Sequence, residues 1–172
     1  IRNGIRLKIS SWRRHDPNTM PPAAKGTGMY INSSMAKVEA LKSGYDEAVM
    51  LSPQGNVSEC TGENIFVVKQ GTIITPPTSA GALEGITQDS VRRIAEDLGV
   101  DYRVENLLRS DLYTADEALL SGTAAEVVPI RSVDDRELGD PGPITRQVQE
   151  TYFAAVRGED DRYKDWLTHV RD

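Results

Sequence analysis

Ala48-Val49-Met50-Leu51-Ser52-Pro53-Gln54-Gly55-Asn56-Val57-Ser58-Glu59-Cys60 is a compact apolar run, a turn rich in Pro, Gly and Asn, and a second short run able to return beside the first. The pattern repeats at once: Asn64 to Val68, the turn Lys69-Gln70-Gly71, then Thr72 to Thr75, with Ile65, Val67 and Ile73 expected to share a face. Short strands joined by such turns are the grammar of antiparallel hairpins. A sheet with antiparallel portions is therefore expected at the centre of the chain.

Toward the N-terminus, Gly4-Ile5-Arg6-Leu7-Lys8-Ile9 alternates apolar and charged side chains, which predicts a half-buried strand with Ile5, Leu7 and Ile9 inward. Ile1-Arg2-Asn3-Gly4 reads as its lead-in and not as a natural start, so the chain is expected to be a fragment. Ser10 to Asn18 is turn-rich, and Pro21-Pro22 keeps a helix from starting much before Lys25. From Thr27 to Ser43, Tyr30, Ile31, Met35, Val38 and Leu41 give a helical apolar stripe that Gly44 ends. Lys25, among small residues, is thus expected at or just before a helix N-terminus, where the dipole favours anions and eases loss of an ammonium proton.

Toward the C-terminus, Pro76 to Gly85 reads as a loop and Ile86 to Leu98 as a helix with Val91, Ile94, Ala95 and Leu98 inward. Tyr102, Val104 and Leu107 suit a strand and its exit, and Arg109 to Ala115 a short helix. Ala118-Leu119-Leu120 enters a buried strand that Ser121-Gly122-Thr123-Ala124-Ala125-Glu126 interrupts and Val127-Val128-Pro129-Ile130 resumes. Asp134 to Pro143 reads as an exposed turn, and Ile144 to Val156 as a helix carrying Val148, Tyr152, Phe153 and Val156. Tyr163, Trp166, Leu167 and Val170 make a terminal amphipathic piece. With no internal repeat, one mixed α/β domain over residues 1–172 is predicted.

Composition narrows the function. The 172 residues carry 26 acidic and 20 basic side chains, a formal charge of −6, and no basic run of the kind that binds nucleic acid. No apolar run is long enough to span a bilayer and no signal segment opens the chain. The single cysteine, Cys60, excludes an internal disulfide, and a cytoplasmic setting is expected. His15 and His169 are too few and too isolated for metal chemistry, and a P-loop and a G-x-S-x-G elbow are both missing. Cys60 has no histidine partner in sequence.

Four local features remain as candidates. Lys25 is an amine with room around it. Glu59, with Glu63 as its competitor, is a carboxylate at a strand end that can pair with a protonated ring nitrogen or amine. Gly85-Ile86-Thr87 opens a helix whose free amides and hydroxyl suit a phosphate, although a plain helix cap accounts for the same residues. Ser121-Gly122-Thr123-Ala124-Ala125 offers further hydroxyls and backbone donors, or a tight packing bend.

Through nearly its whole length the chain resembles the large C-terminal domain of fold-type IV pyridoxal-phosphate enzymes, most closely the branched-chain amino acid aminotransferase family. Ser10-Ser11-Trp12-Arg13-Arg14, Pro17-Asn18-Thr19-Met20-Pro21 and Ala23-Ala24-Lys25 carry the resemblance. It implies a D-amino acid aminotransferase-like fold, in which antiparallel-rich sheets form a pseudo-barrel with flanking helices. The cofactor implied is pyridoxal 5'-phosphate. Lys25 matches the lysine that forms the cofactor aldimine and moves the proton between substrate Cα and cofactor C4′. Tyr30 matches the tyrosine at the phenolic oxygen, and Glu59 the carboxylate that keeps the pyridine nitrogen protonated. Leu83 resembles the residue packed on one ring face, Ile86 and Thr87 the helix start that grips the phosphate, and Thr123 a second phosphate-side hydroxyl. The backbone of Thr123, Ala124 and Ala125 resembles the loop that receives phosphate and substrate carboxylate. Gly26-Thr27-Gly28-Met29, Cys60 and Glu84 depart from the usual pattern but leave these side chains in place.

The resemblance implies ping-pong transamination of leucine, isoleucine and valine with 2-oxoglutarate, in a homodimer or higher homo-oligomer. The family's smaller N-terminal domain is expected to be absent from this chain, which alone is expected to hold cofactor weakly and turn over little. Two alternatives stand beside it. One is another enzyme of the same fold, a D-amino acid transaminase or an aminodeoxychorismate lyase, and the other is a non-catalytic acidic assembly domain. The last would gain if Lys25 lay far from Glu59, Thr87 and Thr123.

Overall fold

Strand β1 (Ile5–Ile9) is followed, after a long irregular stretch, by helix α1 (Tyr30–Lys42) and two hairpins, β2 (Glu47–Leu51) with β3 (Val57–Cys60) and β4 (Asn64–Lys69) with β5 (Thr72–Thr75). Then come α2 (Ile86–Asp97), β6 (Tyr102–Val104), α3 (Arg109–Tyr113), β7 (Glu117–Gly122), β8 (Glu126–Val133), the short β9 (Arg136–Glu137) and α4 (Pro143–Arg157). This computed structural model describes residues 3–168 and 170; Ile1 and Arg2 of the lead-in and His169 lie outside the described residues.

Both hairpins form as the sequence predicts, antiparallel, the second through a tight turn with positive φ at Gln70 and Gly71. The nine strands make one sheet in the order β3-β2-β1-β8-β7-β4-β5-β6, with β9 against β8. β1 pairs in parallel with β2 and β8, and β5 with β6; the remaining pairs are antiparallel.

That order has a geometric consequence. β3 ends one side of the sheet and β4 stands five places away, yet only Thr61, Gly62 and Glu63 join them, and the Cys60 amide donates to the Glu63 carbonyl at 2.8 Å. Such a short link forces the sheet to curl back on itself. The result is a mixed α/β fold with a curled, antiparallel-rich half-barrel and flanking helices.

Strand alternation then sorts side chains into three apolar layers. Leu7, Ile9, Val49, Leu51, Ile65, Val67, Ala118 and Leu120 point into the curl, closed by Leu107 and by Leu112 of α3. On the outer face Phe66, Val68, Ile73 and Leu119 pack against Val91, Ile94 and Ala95 of α2 and Val148, Tyr152 and Phe153 of α4. A third, smaller layer is Ala48 and Met50 of β2 under Ala36 and Ala40 of α1. The N-terminus of α4 is fixed by Glu117, whose carboxylate accepts the amides of Ile144 and Thr145 at 3.2 and 2.7 Å.

Several local expectations are corrected. Ile73 does not share a face with Ile65 and Val67: it lies opposite Val68 in the ladder and so joins the outer layer. Asp134 to Pro143 is not all turn, because Arg136–Glu137 pairs with β8. In α4 Ala155 is buried while Val156 is exposed, and Val170 is exposed. The largest correction concerns α1. It starts at Tyr30 and not at Thr27, and its buried face is Ser33, Ala36 and Ala40, whereas Tyr30, Ile31, Met35, Val38 and Leu41 are exposed. Small side chains let the helix lie close on β2, so the bulky stripe faces outward. Among the described residues no helix is long and apolar enough to cross a membrane.

Candidate active site

Pro22–Ala24 wind one 3-10 turn, and Lys25 closes it in the left-handed region at φ 45° and ψ 37°, its amide donating to the Pro22 carbonyl at 3.0 Å. Few residues with a Cβ hold that conformation, which costs on the order of 1 kcal/mol. A second 3-10 turn, Thr27–Met29, separates Lys25 from α1. The expectation that Lys25 sits at the helix N-terminus is thus corrected: α1 begins five residues on, beyond the first-turn range over which its dipole acts.

Lys25 is exposed, but it opens onto a cavity of about 310 Å³ that also takes in Tyr30, Glu59, Leu83, Ile86, Thr87 and Thr123. Residues up to 98 positions apart in sequence are brought together because the curl sets the β3 end, the loop before α2 and the β7–β8 turn around one opening. Ala124 and Ala125 follow Thr123 on that turn and do not line the cavity.

Glu59 lies opposite Met50 in the β2–β3 ladder, so its carboxyl emerges on the α1 side of the sheet. There one oxygen accepts from Arg14 Nη2 at 2.5 Å and the other from the Leu83 amide at 2.9 Å. Arg14 Nη1 in turn donates to Ser33 Oγ at 3.0 Å. Burial raises the Glu59 pKa, while the guanidinium, the Leu83 amide and the Lys25 charge pull it back. The carboxylate is held at two points with its remaining lone pairs on the cavity wall.

The part of the wall at the start of α2 suits an anion. Gln88 reaches back to the Gly85 amide at 3.2 Å, but glycine has no side chain with which to cap the helix, so the amides of Ile86 and Thr87 keep the free valence of a helix start. A Cβ at position 85 would overlap Asn64 Oδ1, so any other residue there would have to displace the Asn64 side chain. Asn64 is itself tied to the Leu83 carbonyl at 2.7 Å. Ile86 is therefore a backbone donor with an exposed side chain, and Thr87 a buried hydroxyl.

The competing carboxylate, Glu63, also lines the cavity but is differently disposed. Burial and the neighbouring Glu47 push its pKa up to about 7. Glu47 is already engaged by Lys37 Nζ and the Thr61 hydroxyl. Glu63 thus holds its proton far more readily than an ordinary carboxyl and, among the described residues, has no cation bonded to it. Glu59 is paired with Arg14, which makes Glu59 the better partner for a cation. Cys60 is fully buried and its thiol is pushed up well above the ordinary thiol range by burial and then by the nearby glutamates, which argues against a thiolate nucleophile. No metal-binding cluster occurs among the described residues.

Sequence reading missed Arg14 and Ser33 as site residues, and named Ser121 only within the Ser121–Ala125 loop, without a role of its own. Arg14 and Ser121 line the cavity with buried polar atoms, Arg14 Nε and Ser121 Oγ, that have no partner. Arg14 stood inside the motif that carried the resemblance, but nothing local marked it as the partner of a carboxylate 45 residues away. An amine, a carboxylate held by Arg14, the apolar Leu83 and two turns bearing threonine hydroxyls around one cavity fit the chemistry of a phosphorylated pyridine aldehyde.

The curled half-barrel and the cavity at its seam are those of an aminotransferase-like domain, and comparison with known sequences gives the family. The amino-transferase class IV family matches residues 1–133, and the chain belongs to that family. It is 53% identical over 98% of its length to a probable branched-chain-amino-acid aminotransferase of Aquifex aeolicus, covering 55% of that protein. To the branched-chain-amino-acid aminotransferase of Escherichia coli strain K12 it is 43% identical over 99% of its length, covering 56% of that protein. Among solved structures, that of the T.th. branched-chain amino acid aminotransferase with pyridoxamine 5'-phosphate superposes with a TM-score of 0.96 at 46% identity, over 99% of this chain and 57% of the other. The Thermoproteus uzoniensis enzyme with norvaline gives 0.94 at 48% identity, over 97% and 56%. The chain thus spans a little over half the length of these relatives.

Proposed function

We propose that the protein carrying this chain is a pyridoxal 5'-phosphate-dependent transaminase that moves the amino group of leucine, isoleucine or valine to 2-oxoglutarate. In this reading the chain is the large cofactor-binding domain, and a smaller N-terminal domain of the same protein completes the pocket. The observation that carries it is that Lys25, Glu59, Thr87 and Thr123, from four separate parts of the chain, line one cavity. The same observation weighs against an assembly domain without chemistry. The substrate class draws support from relatives: T.th. aminotransferase structures hold pyridoxamine 5'-phosphate, N-(5'-phosphopyridoxyl)-L-glutamate and 4-methylvaleric acid.

When bound, the cofactor supplies an electron sink for the pair left behind when the substrate Cα loses its proton. The chain's residues do the rest. Lys25 Nζ is the attachment point and, once released, the base that takes the Cα proton and the acid that returns it. Glu59 would accept the ring N–H and favour a protonated nitrogen, and Leu83 and Tyr30, which line the same cavity, would hold the ring and its phenolic oxygen. The Ile86 and Thr87 amides with the Thr87 and Thr123 hydroxyls would hold the phosphate, and the turn at Thr123, Ala124 and Ala125 would serve phosphate and substrate carboxylate. The protein works in the cytoplasm as a homodimer or higher homo-oligomer.

Lys25→Ala in the full-length protein tests this. Borohydride reduction followed by mass spectrometry should find pyridoxyl phosphate on the Lys25 peptide of the parent and none on the variant. Turnover should fall on the order of 10³-fold or more. Because Lys25 is exposed, the stability of the cofactor-free protein should change by no more than about 0.5 kcal/mol. Retained turnover, or an adduct on another lysine, would defeat the assignment.

A further inference from the structure

We propose that Arg14 is a positioning residue for this site: its guanidinium, anchored by Ser33 of α1, holds Glu59 as an anion on the cavity wall. The purpose of that anion rests on the function proposed above, whereas the geometry stands apart from it. Arg14 and Glu59 are both nearly buried, at 7% and 6% exposure, and their pairing closes a relay from the helix to the strand: Ser33 Oγ, Arg14 Nη1, Arg14 Nη2, Glu59 Oε1.

A carboxyl so deeply placed neutralises unless a cation and hydrogen-bond donors accompany it. The groups around Glu59 can be enumerated. The segment ahead of α1 gives Arg14 and Lys25, the loop ahead of α2 gives the Leu83 amide, α1 gives Ser33 through Arg14, and β2 gives the apolar Met50. Its own strand gives the buried Cys60, and Glu63 is a second carboxyl on the same cavity. Only two of these are cations. Lys25 is exposed and its amine is the reacting group, so it cannot be a constant counter-charge. Arg14 is buried, bonded at both ends and permanently charged.

Stability does not require such a pair. Buried ion pairs commonly do no better than apolar residues of the same volume, since desolvating two charges offsets their attraction. An ion pair retained on the wall of a cavity, beside the turn that carries Lys25, makes more sense as the setting of Glu59. Arg14 Nη2 on one oxygen and the Leu83 amide on the other together stop the carboxylate from rotating away from the cavity.

The test reads Glu59 itself. In the full-length protein freed of cofactor and labelled with 13C at glutamate carboxyls, with the Glu59 signal assigned through Glu59→Gln, the carboxyl should titrate at least one pH unit higher in Arg14→Gln than in the parent. Arg14→Lys should recover part of that shift, and Ser33→Ala should show a smaller one. Pyridoxal phosphate should then bind Arg14→Gln at least tenfold more weakly at neutral pH. An unchanged Glu59 titration in a folded Arg14→Gln protein overturns the proposal; if that variant fails to fold, an unchanged titration in Ser33→Ala does so. A cofactor that never attaches to Lys25 in the parent protein would instead defeat the functional reading and leave the Glu59 titration to be judged separately.

Discussion

Glu63 shows what burying a second carboxyl beside Glu47 costs. Its pKa is raised from the ordinary 4.5 to about 7, so the folded state binds a proton that the unfolded chain has already released. The stability this contributes is full below the ordinary carboxylate value and is lost as pH rises through about 7. Glu63→Gln removes the titration. Between pH 5 and pH 8 the parent should lose on the order of 1–3 kcal/mol more stability than the variant, measured by denaturant melts at the two values. Equal losses in both proteins would show that Glu63 ionises in the fold as freely as in water. At this scale the site was only partly legible. Lys25, Glu59, Thr87 and Thr123 each carry a local signature, and the resemblance assigned them one ligand. Arg14 and Ser33 carry none, because what makes them matter is a contact across 45 and 19 residues of chain. Ala124 and Ala125 rest on the resemblance alone, which assigns a role to their backbone, and they follow Thr123 on the β7–β8 turn without lining the cavity.

Among the elements, α1 is the instructive one. Its periodicity correctly separates two faces, but periodicity does not say which face is covered. Met50 and Ala48 on β2 accept only a close helix, which selects Ala36 and Ala40 and turns Ile31, Met35, Val38 and Leu41 outward. A contiguous apolar face of that kind is ordinarily covered by protein. Ile31→Lys and Val38→Lys, at positions 69% and 49% exposed, should leave the stability of this chain within about 0.5 kcal/mol per site while reducing its self-association in sedimentation velocity. A large loss of stability without any change in sedimentation would mean that the stripe is part of the chain's own core. The hairpins were the most legible elements, because turn residues and strand length are local. The face on which Ile73 falls was not, since the two-residue turn at Gln70-Gly71 sets the register and pairs it with Val68.

For the molecule as a whole, alternation of strands and helices announced a mixed α/β domain, whereas the curl is a property of strand order and no local pattern encodes it. The resemblance supplied the half-barrel. The three-residue link between β3 and β4 explains it physically, for it ties the two separated strands together and leaves the cavity at the seam. The same link has a kinetic meaning. Arg14, Glu59, Thr87 and Thr123 meet only after pairings between distant strands have closed, and contacts of large sequence separation form late because loop-closure entropy has to be met first. A ligand of this cavity therefore finds no home in a half-folded chain. Pyridoxal phosphate should slow unfolding of the full-length protein in proportion to its occupancy and leave the refolding rate unchanged, so that the two limbs of a chevron plot respond differently. Faster refolding in its presence would show that the seam closes early. Otherwise the cofactor acts as a lock fitted to a finished vessel, governing how long the fold lasts and not how quickly it is made.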